Sequence, residues 1–401
     1  MVRLLLFEYR KHFFKKSIIL AILLFSIVNV AKIYSIYNEN SLLATDDVWH
    51  DLYWDKYEDF SGDLTNEKIE KLMSIYEPLY KQTADKTASR ATDNPNTYTG
   101  NLYNDTYFFR WNFVDPMEYA YMYKNYAQDV VNTAKENMEL YETLGNEYEY
   151  NKNKAIVNTY TGRTISDFQY TEMYSNYTHY DFSALLVLLI CMYVLINVFV
   201  SEKETEMDLL LLTTKWGGIK TTNAKLITST IFVCTVCCWF WLLDFIAFAA
   251  IFGSLEASFS PIYAIQNFSN TPINLNLAQY ALLSSVMKTA GILILSYLFL
   301  LISMFFKQVL FPFIISLLTT FALIYLQEMY LGSSHVLLKT INPFVLVMNR
   351  ELYRHTEFLD FFHYPLPSYI SAILFAIAWG IVFILGIKMI IQKNTVQRKR
   401  M

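Results

Sequence analysis

Six long apolar runs separated by polar segments are the feature that most constrains how this chain can fold. A helix needs roughly 20 apolar residues to cross a hydrocarbon core about 30 Å thick. Hydrophobic residues make up 54% of the chain, whereas soluble proteins contain about 45–50%. We therefore predict an all-α polytopic membrane protein with six transmembrane helices, at residues 17–34, 182–200, 226–253, 279–306, 309–326 and 368–388.

The clusters of lysine and arginine that lie beside the ends of these runs all fall on one side. The basic segments are residues 1–16, 201–225 and 389–401, with Lys307 between the fourth and fifth runs. Because basic residues stay on the cytoplasmic side, we expect both termini in the cytoplasm of a bacterial cell. The polar segments 35–181, 254–278 and 327–367 should then lie outside.

The N-terminal segment 1–16 is basic and amphipathic, and it predicts a cytoplasmic helix lying in the membrane interface. Together with the first run it also has the order of a secretory signal peptide. Against that alternative, the basic segment is long and no small-residue cleavage motif follows Tyr34. A retained first span is the favoured interpretation.

Residues 35–181 form a large polar insertion between the first two runs, called the insertion domain below. It contains 25 Asp and Glu against 12 Lys and Arg. Cap signals at Thr65 and at Asp115-Pro116 predict a mainly helical domain. All four cysteines lie in the apolar runs, so the domain has no disulfide, as suits a bacterial cell surface. Solubility and capture of a cationic ligand explain its acidity equally well.

The turn Ser201 to Lys225 reads SEKETEMDLLLLTTKWGGIKTTNAK, with acids first, then leucines, a Gly-Gly break and lysines. A cytoplasmic surface of this kind is expected to dock a soluble partner. Its segment Gly217-Gly218-Ile219-Lys220-Thr221 lacks the G-x-x-x-x-G-K-[ST] spacing of a phosphate loop. The turn is therefore not expected to bind ATP.

Asp244 and Lys288 interrupt the third and fourth runs. Ionisable groups within spans are costly and face a partner or a water-filled cavity. Each lies nine residues from the outer end of its run, roughly 14 Å deep at 1.5 Å per residue. Similar depth on consecutive antiparallel helices predicts an ion pair. A structural pair and a transport path both remain open.

Signals of catalysis or metal binding are weak. G-x-S-x-G and H-E-x-x-H are missing, so we expect no enzyme activity, no cofactor and no nucleic-acid partner. Thiolates suit soft metals, but nothing in the third run completes a site around Cys234, Cys237 and Cys238. A second cluster is explained equally by a solvated segment, so no metal site is predicted: Glu351, His355, Glu357, Asp360 and His363.

Several motifs together resemble one family of membrane proteins. The turn contains Glu202, Glu206, Leu211-Leu212-Thr213-Thr214-Lys215-Trp216-Gly217 and Lys225, and Asn342-Pro343-Phe344 follows the fifth run. With six spans and an N-terminal amphipathic helix, this pattern resembles the permease subunits of type 2 bacterial ABC transporters, the exporter class. Each motif alone is loose, but together they extend over most of the chain. The resemblance also implies that residues 327–367, which contain Asn342-Pro343-Phe344, form an external half-inserted hairpin.

The resemblance implies two copies of an ATP-binding subunit, a second permease copy or homologous permease, and membrane lipid as partners. The turn would be a coupling helix on the ATP-binding subunit, with charged residues setting its register and leucine and tryptophan supplying buried area. The residues given this role are Glu202, Glu206, Leu209, Leu210, Lys215, Trp216, Gly217 and Lys220.

The large insertion resembles only a subset of such permeases from Gram-positive bacteria, several of them associated with peptide antibiotics. The expected function is therefore export or removal of a peptide antibiotic or another amphipathic peptide. The alternative is a membrane sensor or immunity scaffold that captures a cationic peptide through the acidic domain without translocating it. A membrane-embedded transferase or protease lacks the necessary His, Ser or Asp constellation.

Overall fold

The computed structural model describes residues 2–44, 47–84, 98–207, 218–330 and 335–398. Its helices are α1 (Val2–His12), α2 (Lys16–Asn40), α3 (Asp47–Phe60), α4 (Asn66–Ala84), α5 (Leu102–Phe109), α6 (Asp115–Thr143), α7 (Glu147–Tyr160), α8 (Glu172–His179), α9 (Phe182–Glu204), α10 (Ile219–Phe252), α11 (Leu277–Ser303), α12 (Leu310–Tyr330), α13 (Val336–Ile341), α14 (Glu351–Arg354) and α15 (Ser368–Arg398). Two short antiparallel ladders pair β1 (Gly62–Asp63) with β2 (Asp167–Phe168), and β3 (Phe358–Phe361) with β4 (Tyr364–Pro367).

Six helices, α2, α9, α10, α11, α12 and α15, are long and apolar enough to cross a membrane. This confirms the prediction of an all-α polytopic membrane protein. The second span is the central one, since 78% of its most apolar window is buried, against 22% for α2. We call the end of the bundle that carries α1 and the 201–218 turn the turn side, and the end that carries the insertion domain the domain side.

Several helices extend beyond the apolar runs that predict them. The first span continues to Asn40, the second to Glu204 and the fifth to Tyr330, while the third begins at Ile219. Backbone hydrogen bonds continue a helix whatever its side chains are, so hydropathy marks the apolar part and not the helix ends. The turn predicted at residues 201–225 is correspondingly shorter.

The helix start predicted at Thr65 is confirmed, whereas the cap predicted at Asp115 is not, because Asp115 directly follows the π-helical segment Arg110–Val114 and no side chain caps the helix there. The backbone N–H of Lys68 donates to the Thr65 hydroxyl at 3.3 Å, at the start of α4. The following long helix begins at Asp115 with proline in its first turn. It ends before Gly145, which adopts φ +67°, a conformation that glycine adopts without steric cost.

Aromatic packing forms the core of the insertion domain. Phe113 is fully buried, and its ring centroid lies 5.2 Å from that of Tyr53, 5.5 Å from Phe60 and 6.0 Å from Phe168. These residues come from α3, from the segment between α5 and α6, and from β2. Offset and edge-on aromatic pairs add stabilisation beyond the area they bury. The domain therefore gains stability without cysteine.

The insertion domain is fastened to the loop between α10 and α11. Arg163, only 3% exposed, donates to the carbonyl of Thr271 at 2.9 Å and to Asn274 Oδ1 at 2.7 Å. The rings of Tyr123 and Tyr263 stack with centroids 4.8 Å apart. Domain and loop thus share one core, which continues into the domain side of the bundle.

Residues 342–347 pack deep between the spans. Phe344 and Val347 are fully buried, and Val347 lies against Gly291 of α11, where a Cβ would meet the Val347 backbone nitrogen at 2.9 Å. Gly291 lies about 20 Å along its helix from Leu277. The segment reaches far into the bundle, while its insertion into the bilayer stays a prediction.

The N-terminal helix turns Glu8 and His12 toward the protein, while Arg3 and Arg10 stay exposed. Glu8 and His12 are 1% and 4% exposed, whereas Val2, Leu6 and Phe7 are 70%, 56% and 61% exposed. Glu8 belongs to the charged stripe of the amphipathic segment 1–16, so the sequence predicts an exposed side chain, whereas the structure buries it. The apolar face is thereby left outward, where an interfacial helix contacts lipid.

We predict that Gly291→Ala destabilises the protein by about 1–3 kcal/mol, because overpacking displaces residues 344–347. Gly380→Ala is the matched control, since the nearest atom to its added Cβ is 3.9 Å away. Thermal unfolding in detergent micelles measures both. Equal midpoints for the two variants would contradict the close approach.

Candidate functional site: polar clusters at the two ends of the bundle

Glu202 joins the two helices that flank the turn. It lies in the last turn of α9, and its side chain forms a buried ion pair with Lys225 in the second turn of α10. Its other oxygen accepts from Lys11 Nζ of α1 at 2.6 Å. Glu202 is 6% exposed and Lys225 is 2% exposed. One carboxylate thus holds three helices together at the turn side.

Glu8 and His12 complete this group, which we call the turn-side cluster: Glu8, Lys11, His12, Glu202 and Lys225. His12 Nε2 lies 3.3 Å from Glu8 Oε2. Burial lowers the pKa of His12, and the hydrogen bond to Glu8 opposes that shift. With a neutral imidazole, the two lysines balance the two glutamates. The cluster is then electrically neutral, as its burial requires.

The turn-side cluster also contains a possible ligand set for a small cation. Ligand atoms of Glu8, His12 and Glu202 all lie within 4.8 Å of one another. However, both oxygens of Glu202 are already engaged by ammonium groups. A metal ion would have to displace Lys11 and Lys225, so the arrangement favours an ion-pair network over a metal site.

Two further contacts fix the helices on the turn side. Phe13, just after α1, stacks on Phe232 of α10 with centroids 4.8 Å apart. The Lys203 ammonium donates to the carbonyl of Met304, which follows the C-terminus of α11. A cation at this position also complements the helix dipole. The ends of α9 and α11 are therefore held in register.

The residues expected to form a coupling surface separate into three groups. Glu202 is buried, and both of its carboxylate oxygens contact lysines of this chain; its contact with a separate subunit stays a prediction. Glu206 and Lys220 are exposed on either side of the turn. The others lie outside the described residues, namely Leu209, Leu210, Lys215, Trp216 and Gly217.

Asp244 and Lys288 do not form the ion pair that their depth predicts. Lys288 Nζ lies 3.0 Å from Asp181 Oδ1 and donates to the carbonyl of Tyr180 at 2.8 Å. Asp244 instead accepts from Asn29 Nδ2 at 2.5 Å. The reason is non-local: the start of α9 supplies a carboxylate to Lys288, and α2 supplies an amide to Asp244.

The two residues nevertheless belong to one network, which we call the domain-side network: Asn29, Tyr180, Asp181, Asp244, Lys288 and Arg350. The Tyr180 hydroxyl donates to Asn29 Oδ1 at 2.7 Å, linking the Asp244 half to the Lys288 half. Arg350 Nη1 contacts the second oxygen of Asp181 at 3.1 Å. The formal charges of two acids and two bases cancel, which favours the structural alternative over a transport path.

The two other groups weighed for metal binding have different surroundings. Glu351 pairs with Arg354 at 2.6 Å and with Arg350 at 3.4 Å. Cys237 is buried among apolar residues, while Cys234 and Cys238 line an apolar groove of 610 Å³ between α10 and α11. Neither arrangement is a prepared ligand set.

Several members of the two networks were not expected to belong to a site. Asn29 and Asp181 have a signal in the sequence, since one is an amide inside the first apolar run and the other an acid just before the second run. Glu8 and His12 lie one helical turn apart. Arg350 has no comparable local signal, because only the tertiary fold brings it to Asp181.

No family model matches this chain, and no curated protein or solved structure is significantly similar to it.

We predict that Glu202→Gln destabilises the protein by about 3–5 kcal/mol, because Lys225 is left buried without a carboxylate. The exposed Glu206→Gln change is the matched control and should be neutral. Adding Lys225→Met to Glu202→Gln should restore part of the loss. Equal unfolding midpoints for Glu202→Gln and Glu206→Gln would refute the role assigned to the cluster.

Docking of α1 should weaken as pH falls below about 6.5, the ordinary pKa of histidine. The pKa of His12 is lowered in the folded state, so the unfolded chain binds a proton first and stability rises with pH. Proteolysis of α1 in nanodiscs at several pH values measures this. His12→Gln should remove the pH dependence of proteolysis, and the exposed His50→Gln should leave it unchanged. If His12→Gln keeps the same pH dependence, His12 is not the titrating group.

Proposed function

We propose that this chain is the membrane-spanning permease subunit of a bacterial ABC exporter. It would work with two copies of an ATP-binding subunit and with a second permease copy or homologue. Its substrate would be a peptide antibiotic or another amphipathic peptide. The proposal is supported by the turn pattern described above, by the six spans, and by the packing around the turn.

The observation that carries the proposal is the position of Glu202. Its two ion pairs connect α1, α9 and α10 immediately beside the turn, and Lys203 extends the connection to the end of α11. A force applied to the turn is therefore delivered to several spans at once. A coupling element driven by nucleotide-dependent movement of a partner needs this mechanical connection.

The charge distribution supports the orientation in which the turn faces the cytoplasm. The basic residues of α1, of the turn and of the C-terminal segment all belong to the turn side. The opposite end carries the acidic insertion domain. By the positive-inside rule, the turn and both termini are cytoplasmic, where ATP-binding subunits are available.

We predict that Trp216→Ala reduces co-purification of the ATP-binding subunit by about tenfold, since tryptophan anchors frequently dominate interface energetics. The tagged chain is purified from its own bacterium, bound proteins are identified by mass spectrometry, and ATPase activity is measured. Trp111→Ala, an exposed tryptophan of the insertion domain, is the matched control.

Full co-purification and full transport by Trp216→Ala would contradict the coupling role. Purification without any nucleotide-binding protein or ATPase activity would contradict the exporter itself. That result would favour the second candidate, a sensor or immunity scaffold. The excess of acids in the insertion domain motivates that candidate, because complementary charge accelerates the encounter with basic partners.

A further inference from the structure

We propose that a groove between α4 and α6 in the insertion domain binds a cationic amphipathic peptide. The groove has a volume of 490 Å³. Its floor is formed by aliphatic and thioether side chains, including Ile69, Leu72, Met73 and Met117. Leu72 and Met117 are buried and belong to the domain core, so the site is built on a packed base.

Large apolar side chains stand exposed at the mouth of this groove. Tyr80 is 54% exposed, and Tyr121 and Met122 are each 50% exposed. Tyrosine and methionine are enriched at protein interfaces, and contiguous exposed apolar patches mark interaction sites. These three residues line one cavity, so they form a patch and are not scattered surface residues.

The groove continues along α4 into a smaller cavity of 230 Å³. Tyr76, Tyr80 and Arg110 line both cavities, which gives an elongated site suited to a peptide segment. One wall includes the π-helical segment Arg110–Val114. Such segments interrupt regular helix hydrogen bonding and occur frequently at functional sites.

The polar rim of the larger cavity carries one net negative charge, from Asp115, Glu118 and Arg110. Asp115 and Glu118 are exposed on the α6 side, and the nearby Arg110 cation faces Asp115 at 3.5 Å. Glu118 therefore adds negative charge, within a domain that already has 25 acids against 12 bases. The chemistry therefore fits apolar side chains flanked by lysine or arginine.

Capture at this groove is independent of translocation, but its place in export rests on the proposed function. Binding is measured with the full chain in zwitterionic nanodiscs, without ATP or partner subunits, and with empty nanodiscs as the blank. The probe is a fluorescent amphipathic helical peptide of leucine and lysine. The comparison peptide has glutamate in place of lysine.

We expect Tyr121→Ala and Met122→Ala each to weaken binding of the lysine peptide by about tenfold, equivalent to 1.4 kcal/mol. Glu118→Lys should weaken the lysine peptide and strengthen the glutamate peptide. Leu144→Ala is the matched control, since Leu144 is 66% exposed and lies about 35 Å from Tyr121 along α6. It should bind as the unchanged protein does.

Wild-type binding by Tyr121→Ala and Met122→Ala would overturn the assignment, as would equal binding of the two peptides. Binding of a cell-wall oligosaccharide in place of the peptide would also overturn it. The exporter proposal can fail while the groove proposal holds. In that case the groove variants lose peptide binding, but no ATP-binding subunit co-purifies with the unchanged protein. Conversely, a functional exporter unaffected by Tyr121→Ala rejects the groove alone.

Discussion

A carboxylate held between two ammonium groups is the interaction on which the turn side of this protein depends. Glu202 contacts Lys11 and Lys225, and each comes from a different helix. Burying any one of these charges alone is costly, whereas together with Glu8 the two lysines and two glutamates are neutral. The relative positions of α1, α9 and α10 are therefore set by one electrostatic requirement. Because the turn connects α9 to α10, the same requirement fixes where the turn begins and ends.

The domain side is organised by a second neutral network, with apolar packing between the two. Asp181 immediately precedes α9 and forms ion pairs with both Lys288 and Arg350. The last residue of the insertion domain is therefore packed among the helices of the bundle. Arg163 supplies a separate attachment to the loop before α11. A ligand held by the insertion domain would consequently bear on the same helices that flank the turn.

The fold follows from the sequence to a large extent, because apolar runs and helix caps are local signals. The helix start near Thr65 and the six apolar helices could be predicted in this way. The partners of Asp244 and Lys288 could not, since depth along two helices says nothing about a third helix that approaches them. The burial of Glu202 likewise depends on where α1 docks, which no local pattern near the turn reveals.

The length of α10 has a consequence for the membrane around it. Ile219–Phe252 contains 34 residues, a rod of about 50 Å, while the hydrocarbon core is about 30 Å thick. Such a helix must tilt or project beyond the core. Lys225 anchors one end, so a change in bilayer thickness alters the tilt and not the anchorage.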